Sequence, residues 1–165
     1  MMTIIALVLS ILLAAVSLAI GYVQAGAAGY LLGFLLLAAI WLVTHFRKWY
    51  WFSSIALLIT VIAAGYGVWR GFSTVWMLLG ALGGLLGWDL SDFARRLSYA
   101  SPMDDIQGME RLHLQRVGIV AGLGFGLAIL SVVIRVQRLA FEVAVGLVLL
   151  AALGLTRLVM GLRKY

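Results

Sequence analysis

Residues 3–23 read TIIALVLSILLAAVSLAIGYV and contain no charged side chain. A helix that crosses the hydrocarbon core of a bilayer needs about 20 mostly apolar residues at about 1.5 Å each. Similar apolar stretches follow at residues 27–44, 49–69, 72–88, 117–134 and 139–162. The sequence therefore predicts an all-α integral membrane protein, with about six transmembrane helices in a single transmembrane domain that covers residues 1–165.

The composition predicts the same fold class. Hydrophobic residues make up 65% of the 165 residues and charged residues only 11%, against about 25% charged in soluble chains. A water-soluble fold of this size needs more polar groups to cover its surface. The composition therefore argues against a soluble protein, a disordered chain and a nucleic-acid binder, despite a net charge of +6. Because the chain has no cysteine, disulfides, thiolate metal sites and a cysteine nucleophile are excluded as well.

Short connections after the first, third and fifth spans predict three helical hairpins, which are joined by linkers on the opposite side. The linker side, together with the two termini, carries nine basic residues, and the side of the short connections carries three. The nine are Arg47, Lys48, Arg95, Arg96, Arg111, Arg116, Arg157, Arg163 and Lys164, and the three are Arg70, Arg135 and Arg138. Because cytoplasmic loops carry an excess of Lys and Arg, we expect a multi-pass protein of the cell membrane with both termini in the cytoplasm.

Residues 89–116 are the longest polar segment and are predicted to form a cytoplasmic linker between spans four and five. An apolar face that begins with Leu90 and Phe93 is typical of a short amphipathic helix on the membrane surface. Ser101 and Pro102 fit the N-cap and the first position of a second helix, which is predicted to run into the fifth span.

Glycines recur at three- and four-residue spacing in the fourth and fifth spans. The positions are Gly80, Gly84 and Gly87 in the fourth span and Gly118, Gly122 and Gly126 in the fifth. A stripe of small residues lets another helix backbone approach closely, which favours helix association in lipid. The stripes are therefore predicted to be helix-packing surfaces, either between these two spans within one chain or between chains in an oligomer.

Charged residues in or beside a span are candidates for function, because charge in the hydrocarbon is costly. Glu142 lies in the sixth predicted span, with Arg138 four residues before it and Arg157 in the same span. Glu142 and Arg138 can form an interfacial salt bridge or take part in a proton or cation relay. Arg157 can extend to the inner surface, or it can contact anionic lipid or a substrate.

We expect no metal site, no cofactor and no catalytic residues. Glu110 and His113 have the three-residue spacing of di-iron helix bundles, but the second Glu–His pair of that pattern is missing. His45 and His113 lie at the predicted edges of spans, where they cannot clamp a haem inside the bilayer. Asp92 and Arg96 are predicted to pair along a solvated helix surface. An enzymatic function is therefore not expected.

Two functions remain open. The favoured one is a non-catalytic subunit or scaffold of a larger membrane complex, because the loops are short and polar chemistry within the spans is sparse. The alternative is a small oligomeric transporter or channel for an ion or small solute. Besides the lipid bilayer, we expect a membrane-protein partner or a second copy of the chain. A partner is predicted to dock on Asp104, Asp105, Glu110 and Arg111, unless the linker is a solvated segment that only joins two hairpins.

Overall fold

The computed structural model of the chain describes residues 2–99 and 105–133. Every regular element in these ranges is helical. The elements are α1 (Met2–Gln24), α2 (Leu31–Phe46), α3 (Trp51–Trp69), α4 (Thr74–Leu97) and α5 (Ile106–Val133), with a single 3₁₀ turn, Ala28–Tyr30, before α2. Contacts divide the chain into two compact units, Met1–Ile129 and Leu130–Tyr165. The packing and the candidate site described below lie within the first unit.

In the described part of the chain, four helical segments are long and apolar enough to cross a membrane. They are Met2–Gln24, Ala28–Phe46, Trp51–Trp69 and Thr74–Leu97. Much of their apolar surface faces outward, and Leu9, Leu32 and Ile62 are each at least 60% exposed. Large apolar patches of this kind are rare on soluble monomers, whereas lipid tails can cover them. The predicted all-helical class is confirmed for the described residues, and the structure is compatible with a membrane protein. The sixth predicted span, residues 139–162, lies outside the described residues.

The fourth helix is longer than its predicted span. The sequence predicts an end at residue 88 and a separate surface helix after it, but α4 continues without a break to Leu97. Leu90 is only 2% exposed, and the hydroxyl of Ser91 donates to the carbonyl oxygen of Gly87 at 2.7 Å. The predicted separate helix is therefore wrong. Polarity changes at Asp89, but no cap or helix breaker follows it until the end of α4.

The fifth helix begins at Ile106. The carboxylate of Asp105 caps it by accepting a hydrogen bond of 2.9 Å from the backbone N–H of Gly108. From there α5 runs without interruption to Val133, so the predicted continuity between a second linker helix and the apolar stretch after it is confirmed. The predicted helix start at Pro102 lies outside the described residues.

Three of the helices end in the same hydrogen-bonded turn, the Schellman motif. After α1 and α3, the residue in the left-handed conformation is a glycine: Gly26 with φ +80° and Gly71 with φ +78°. After α2, that position is held by Lys48 with φ 61°, whose N–H donates to the carbonyl oxygen of His45 at 2.9 Å. Each of these turns ends one helix within a few residues of the start of the next.

The charge-free helix α1 lies at the centre of the first unit and contacts α2, α3 and α4. One core cluster surrounds Leu7 and Ile11 of α1, where Trp41 of α2 and Leu90 of α4 pack. A second cluster comprises Leu18, Ala19, Tyr22, Phe34, Ala64 and Met77. Among the described helices, α1 is therefore the one that the others surround.

The backbones of α1 and α4 are in close contact at Gly83. A Cβ atom built on Gly83 would lie 2.6 Å from the backbone nitrogen of Ala14 and 2.9 Å from the carbonyl oxygen of Ser10. Because backbone atoms inside a helix cannot move aside without shifting the helix, only glycine fits this position at the observed separation.

The predicted glycine stripe of α4 faces side chains of three other helices. Gly80 meets Leu18 of α1, Gly84 meets Thr60 of α3, and Gly87 meets both Ile11 of α1 and Trp41 of α2. This stripe therefore packs against α1, α2 and α3. In the described part of the chain, none of the nearest atoms around Gly80, Gly84 and Gly87 comes from α5.

Candidate functional site

A histidine and an aspartate join α4 to α5. Nε2 of His113 lies 3.0 Å from Oδ2 of Asp89, and the side chains are 23% and 38% exposed, respectively. Because a carboxylate only accepts hydrogen bonds, Nε2 is the protonated nitrogen of this pair. The ring of Phe93 stacks on the imidazole, with centroids 3.8 Å apart and an interplanar angle of 9°. The imidazole is thus held at one edge by a carboxylate and on one face by an aromatic ring.

The local sequence explains why these three side chains meet. Asp89 and Phe93 are four residues apart on α4 and therefore share one helix face. His113 lies between Glu110 and Arg116 on α5, which are each one turn away from it along the helix. The hydroxyl of Thr3 donates to Oε1 of Glu110 at 2.8 Å, which joins α5 to the first turn of α1 as well.

A cavity of about 440 Å³ lies beside the His113–Asp89 pair, between α4 and α5. Most of its lining is apolar: Leu82, Leu85 and Leu86 come from α4, and Val117, Val120 and Ala121 come from α5. Asp89, His113 and Arg116 line the same cavity. These three polar residues lie at the end of the cavity that is formed by the C-terminal part of α4 and the N-terminal part of α5.

The apolar part of this cavity continues into a second one. The second cavity has a volume of about 300 Å³ and shares Leu82, Leu85 and Gly124 with the first. Its further lining includes Val61 of α3 and Phe125 of α5. Together the two cavities form one groove, which we call the α4–α5 groove. It is polar at the end that Arg116 lines and apolar along the rest of its length.

The charges around the groove are partly paired. Arg96 donates from Nε to Asp92 at 2.9 Å, which confirms the predicted pair on the exposed surface of α4. Asp89 is paired with His113, whereas the exposed guanidinium of Arg116 has no hydrogen-bond or ion-pair partner in the described part of the chain. Arg116 is therefore available to a ligand at the polar end of the groove.

The structure separates the residues considered for metal or haem binding. Glu110 binds Thr3 and His113 binds Asp89, so the Glu110–His113 spacing does not give a common site. Among the described residues, no group of three or more His, Asp and Glu side chains could hold a metal ion. His45 lies at the end of α2, with its ring centroid 5.7 Å from that of Tyr50.

The glycines of α5 differ from those of α4. Around Gly118, Gly122 and Gly126, no atom in the described part of the chain lies within 4 Å of a built Cβ, the neighbouring residues of their own helix aside. All three are exposed, as are the apolar side chains of Ile119 and Leu123 between them. This stripe is an open surface of small and apolar residues, which we call the α5 outer face.

The predicted docking residues have different environments. Asp105 caps α5 and Glu110 accepts the hydrogen bond from Thr3, so both have partners within the chain. Arg111 is exposed on the surface of α5. Asp104 lies outside the described residues, and so do the intramembrane candidates Arg138, Glu142 and Arg157.

The groove was not predicted from the sequence, although part of its signal was present. The sequence indicates pairs along one helix, such as Asp92 with Arg96. The pairs that join helices, Asp89 with His113 and Thr3 with Glu110, depend on how the helices are rotated against each other. The four-residue spacing of Asp89 and Phe93 was the available signal for a polar and aromatic face on α4. No known protein family, curated protein or solved structure matches the chain, so the chemistry of the groove is inferred from its residues.

Proposed function

We propose that this chain is a small multi-pass membrane protein that acts as a non-catalytic subunit or scaffold of a larger membrane complex. The observation that carries the proposal is how the described helices use their hydroxyl groups. Ser10, Thr44, Thr60 and Ser91 each donate to a carbonyl oxygen of their own helix, three or four residues earlier. Hydroxyls bonded in this way do not line a polar path, which favours a structural role of α1–α4 over conduction.

The α5 outer face is the surface that we propose for a membrane-protein partner. Gly118, Gly122 and Gly126 repeat at four residues on one side of α5, and no neighbour lies in front of them in the part of the chain that the structure describes. A partner helix can approach such a face closely and gain packing contacts that lipid tails do not provide. Arg111, exposed near the start of the same helix, supplies a charge that can set the register of docking.

We also propose that the protein resides in the cell membrane with both termini in the cytoplasm. The support is the distribution of basic residues, nine against three, between the two predicted sides.

The test is purification of the tagged chain from native membranes in mild detergent. We expect a larger membrane protein to co-purify with the chain in a fixed molar ratio. Gly122→Leu should release that partner, because leucine would push two close backbones apart. Gly65→Leu is the matched control, since Gly65 is also exposed in a helix with nothing within 4 Å of a built Cβ.

The outcomes separate the proposal from its alternative. Loss of the partner in Gly122→Leu but not in Gly65→Leu, with unchanged thermal unfolding of both variants, supports a subunit that docks through α5. Retention of the partner in both variants contradicts that docking surface. Recovery of the chain only as a homo-oligomer favours the alternative, a small oligomeric transporter or channel.

A further inference from the structure

The α4–α5 groove has the shape and polarity of a site for an amphiphile. Its walls are leucine, valine and alanine side chains, and its polar groups are confined to one end. From Arg116 at that end to Phe125 in the second cavity, α5 rises about 14 Å at 1.5 Å per residue. Half of a hydrocarbon core of about 30 Å is about 15 Å. The groove therefore has about the length of one leaflet of a bilayer.

The charges at the polar end favour an anionic group. The carboxylate of Asp89 already has a hydrogen-bond partner within the chain, because it lies 3.0 Å from Nε2 of His113. Arg116 is exposed and has no partner in the part of the chain that the structure describes. A guanidinium presents several N–H donors in a planar fork, which fits phosphate oxygens better than a single point charge does.

We propose that the α4–α5 groove binds one anionic phospholipid, with its phosphate on Arg116 and one acyl chain along the apolar walls toward Phe125. This inference is independent of the proposed role as a subunit, because it concerns a different face of α5. A neutral ligand would leave Arg116 without a counter-charge, and a free anion would leave the apolar walls unused. A phospholipid satisfies both parts of the groove at once.

The experiment measures lipid binding to the full-length protein by native mass spectrometry. Phosphatidylglycerol and phosphatidylcholine with identical acyl chains are compared, so that only the head group differs. We expect phosphatidylglycerol to bind about tenfold more tightly, as one charge-assisted contact allows. Inorganic phosphate at equal concentration should not displace phosphatidylglycerol, because the apolar walls contribute to the binding of a lipid but not to that of a free phosphate ion.

Five variants locate the site. Arg116→Gln should abolish the preference for phosphatidylglycerol and Arg116→Lys should keep most of it. The control Arg95→Gln removes an exposed arginine of α4 that does not line the groove, and should keep the preference. Gly124→Leu should weaken binding of both lipids by filling the groove. Gly65→Leu, at an exposed glycine of α3 outside the lining of the groove, should bind both lipids as the parent does.

The proposal is overturned by any of four results. Equal affinity for the two lipids would show that the charge of the head group does not contribute to binding. An unchanged preference in Arg116→Gln would place the anion elsewhere. Displacement of the lipid by inorganic phosphate, or unchanged lipid binding in Gly124→Leu, would show that the apolar walls do not hold an acyl chain.

Discussion

Gly83 of α4 lies directly against the backbone of Ala14 in α1, and a Cβ on Gly83 would be 2.6 Å from the Ala14 nitrogen. Real Cβ atoms do not approach a backbone nitrogen so closely. The two helices therefore pack at a separation that only a glycine at this position allows.

Gly83→Ala is expected to destabilise the protein, because the added methyl group forces α1 and α4 apart. Overpacking of this kind typically costs about 1–3 kcal/mol. Gly65→Ala in α3 is the matched control, since no described atom outside its own stretch of helix lies within 4 Å of a Cβ at that position. It should be neutral or stabilising by up to about 1 kcal/mol, because alanine favours a helix over glycine. Thermal or denaturant unfolding in detergent measures both, and equal effects of the two changes would contradict the close contact.

The turn after α2 provides a second test. Lys48 adopts φ 61°, a left-handed conformation that costs an L-residue roughly 1–2 kcal/mol. Lys48→Gly should remove this cost and, after the entropy loss of glycine on folding, raise the free energy of unfolding by up to about 1 kcal/mol. Arg47→Gly, at the preceding residue with φ −80°, should lower it by about 0.4–1 kcal/mol. The opposite result, in which Arg47→Gly stabilises the protein and Lys48→Gly destabilises it, would contradict the left-handed conformation of Lys48.

The contact between Asp89 and His113 predicts an energetic coupling across helices. In a double-mutant cycle with Asp89→Ala and His113→Phe, the phenylalanine keeps a ring against Phe93 but loses the hydrogen bond. A coupling of about 0.5–1.5 kcal/mol is expected for this half-buried pair. The reference is the pair Asp92–Arg96, whose arginine side chain is 78% exposed. Its coupling energy should be about 0.3–0.5 kcal/mol. If the first coupling does not exceed the second, His113 and Asp89 are not a specific link between α4 and α5.

The extents of α1 and α3 follow from the sequence because one physical requirement determines them. Each needs a long apolar run, and each run ends close to a glycine or a basic residue. The predicted residues 3–23 and 49–69 differ by at most two residues per end from α1 (Met2–Gln24) and α3 (Trp51–Trp69). The end of α4 was not predictable in this way, since Leu90 stays buried after the polarity changes.

The candidate site was less predictable, because sequence spacing gives the neighbours on one helix but not the facing helix. The glycines of α4 and α5 have similar spacing, yet Gly84 meets Thr60 whereas Gly122 faces open space in the described structure. In the same way, Glu110 and His113 share a helix but bind Thr3 and Asp89 on two different helices. The rotation and register of α5 decide these partners, and they result from packing of the whole unit rather than from a local pattern.

The orientation of the chain in the membrane can be tested with single introduced cysteines, because the chain has no cysteine of its own. Tyr99 follows α4 and Trp69 ends α3, and the two side chains are 80% and 79% exposed, so their accessibility to a reagent is well matched. The excess of basic residues near Tyr99 predicts that it faces the cytoplasm, with Trp69 on the opposite side. An impermeant thiol reagent added to intact cells should therefore label Trp69→Cys but not Tyr99→Cys. Met2→Cys should behave like Tyr99→Cys, because four crossings return the chain to the side on which it started.

Permeabilised cells serve as the positive control, in which all three variants should be labelled. Labelling of Tyr99→Cys in intact cells, with Trp69→Cys protected, would show that the chain is inserted in the opposite orientation.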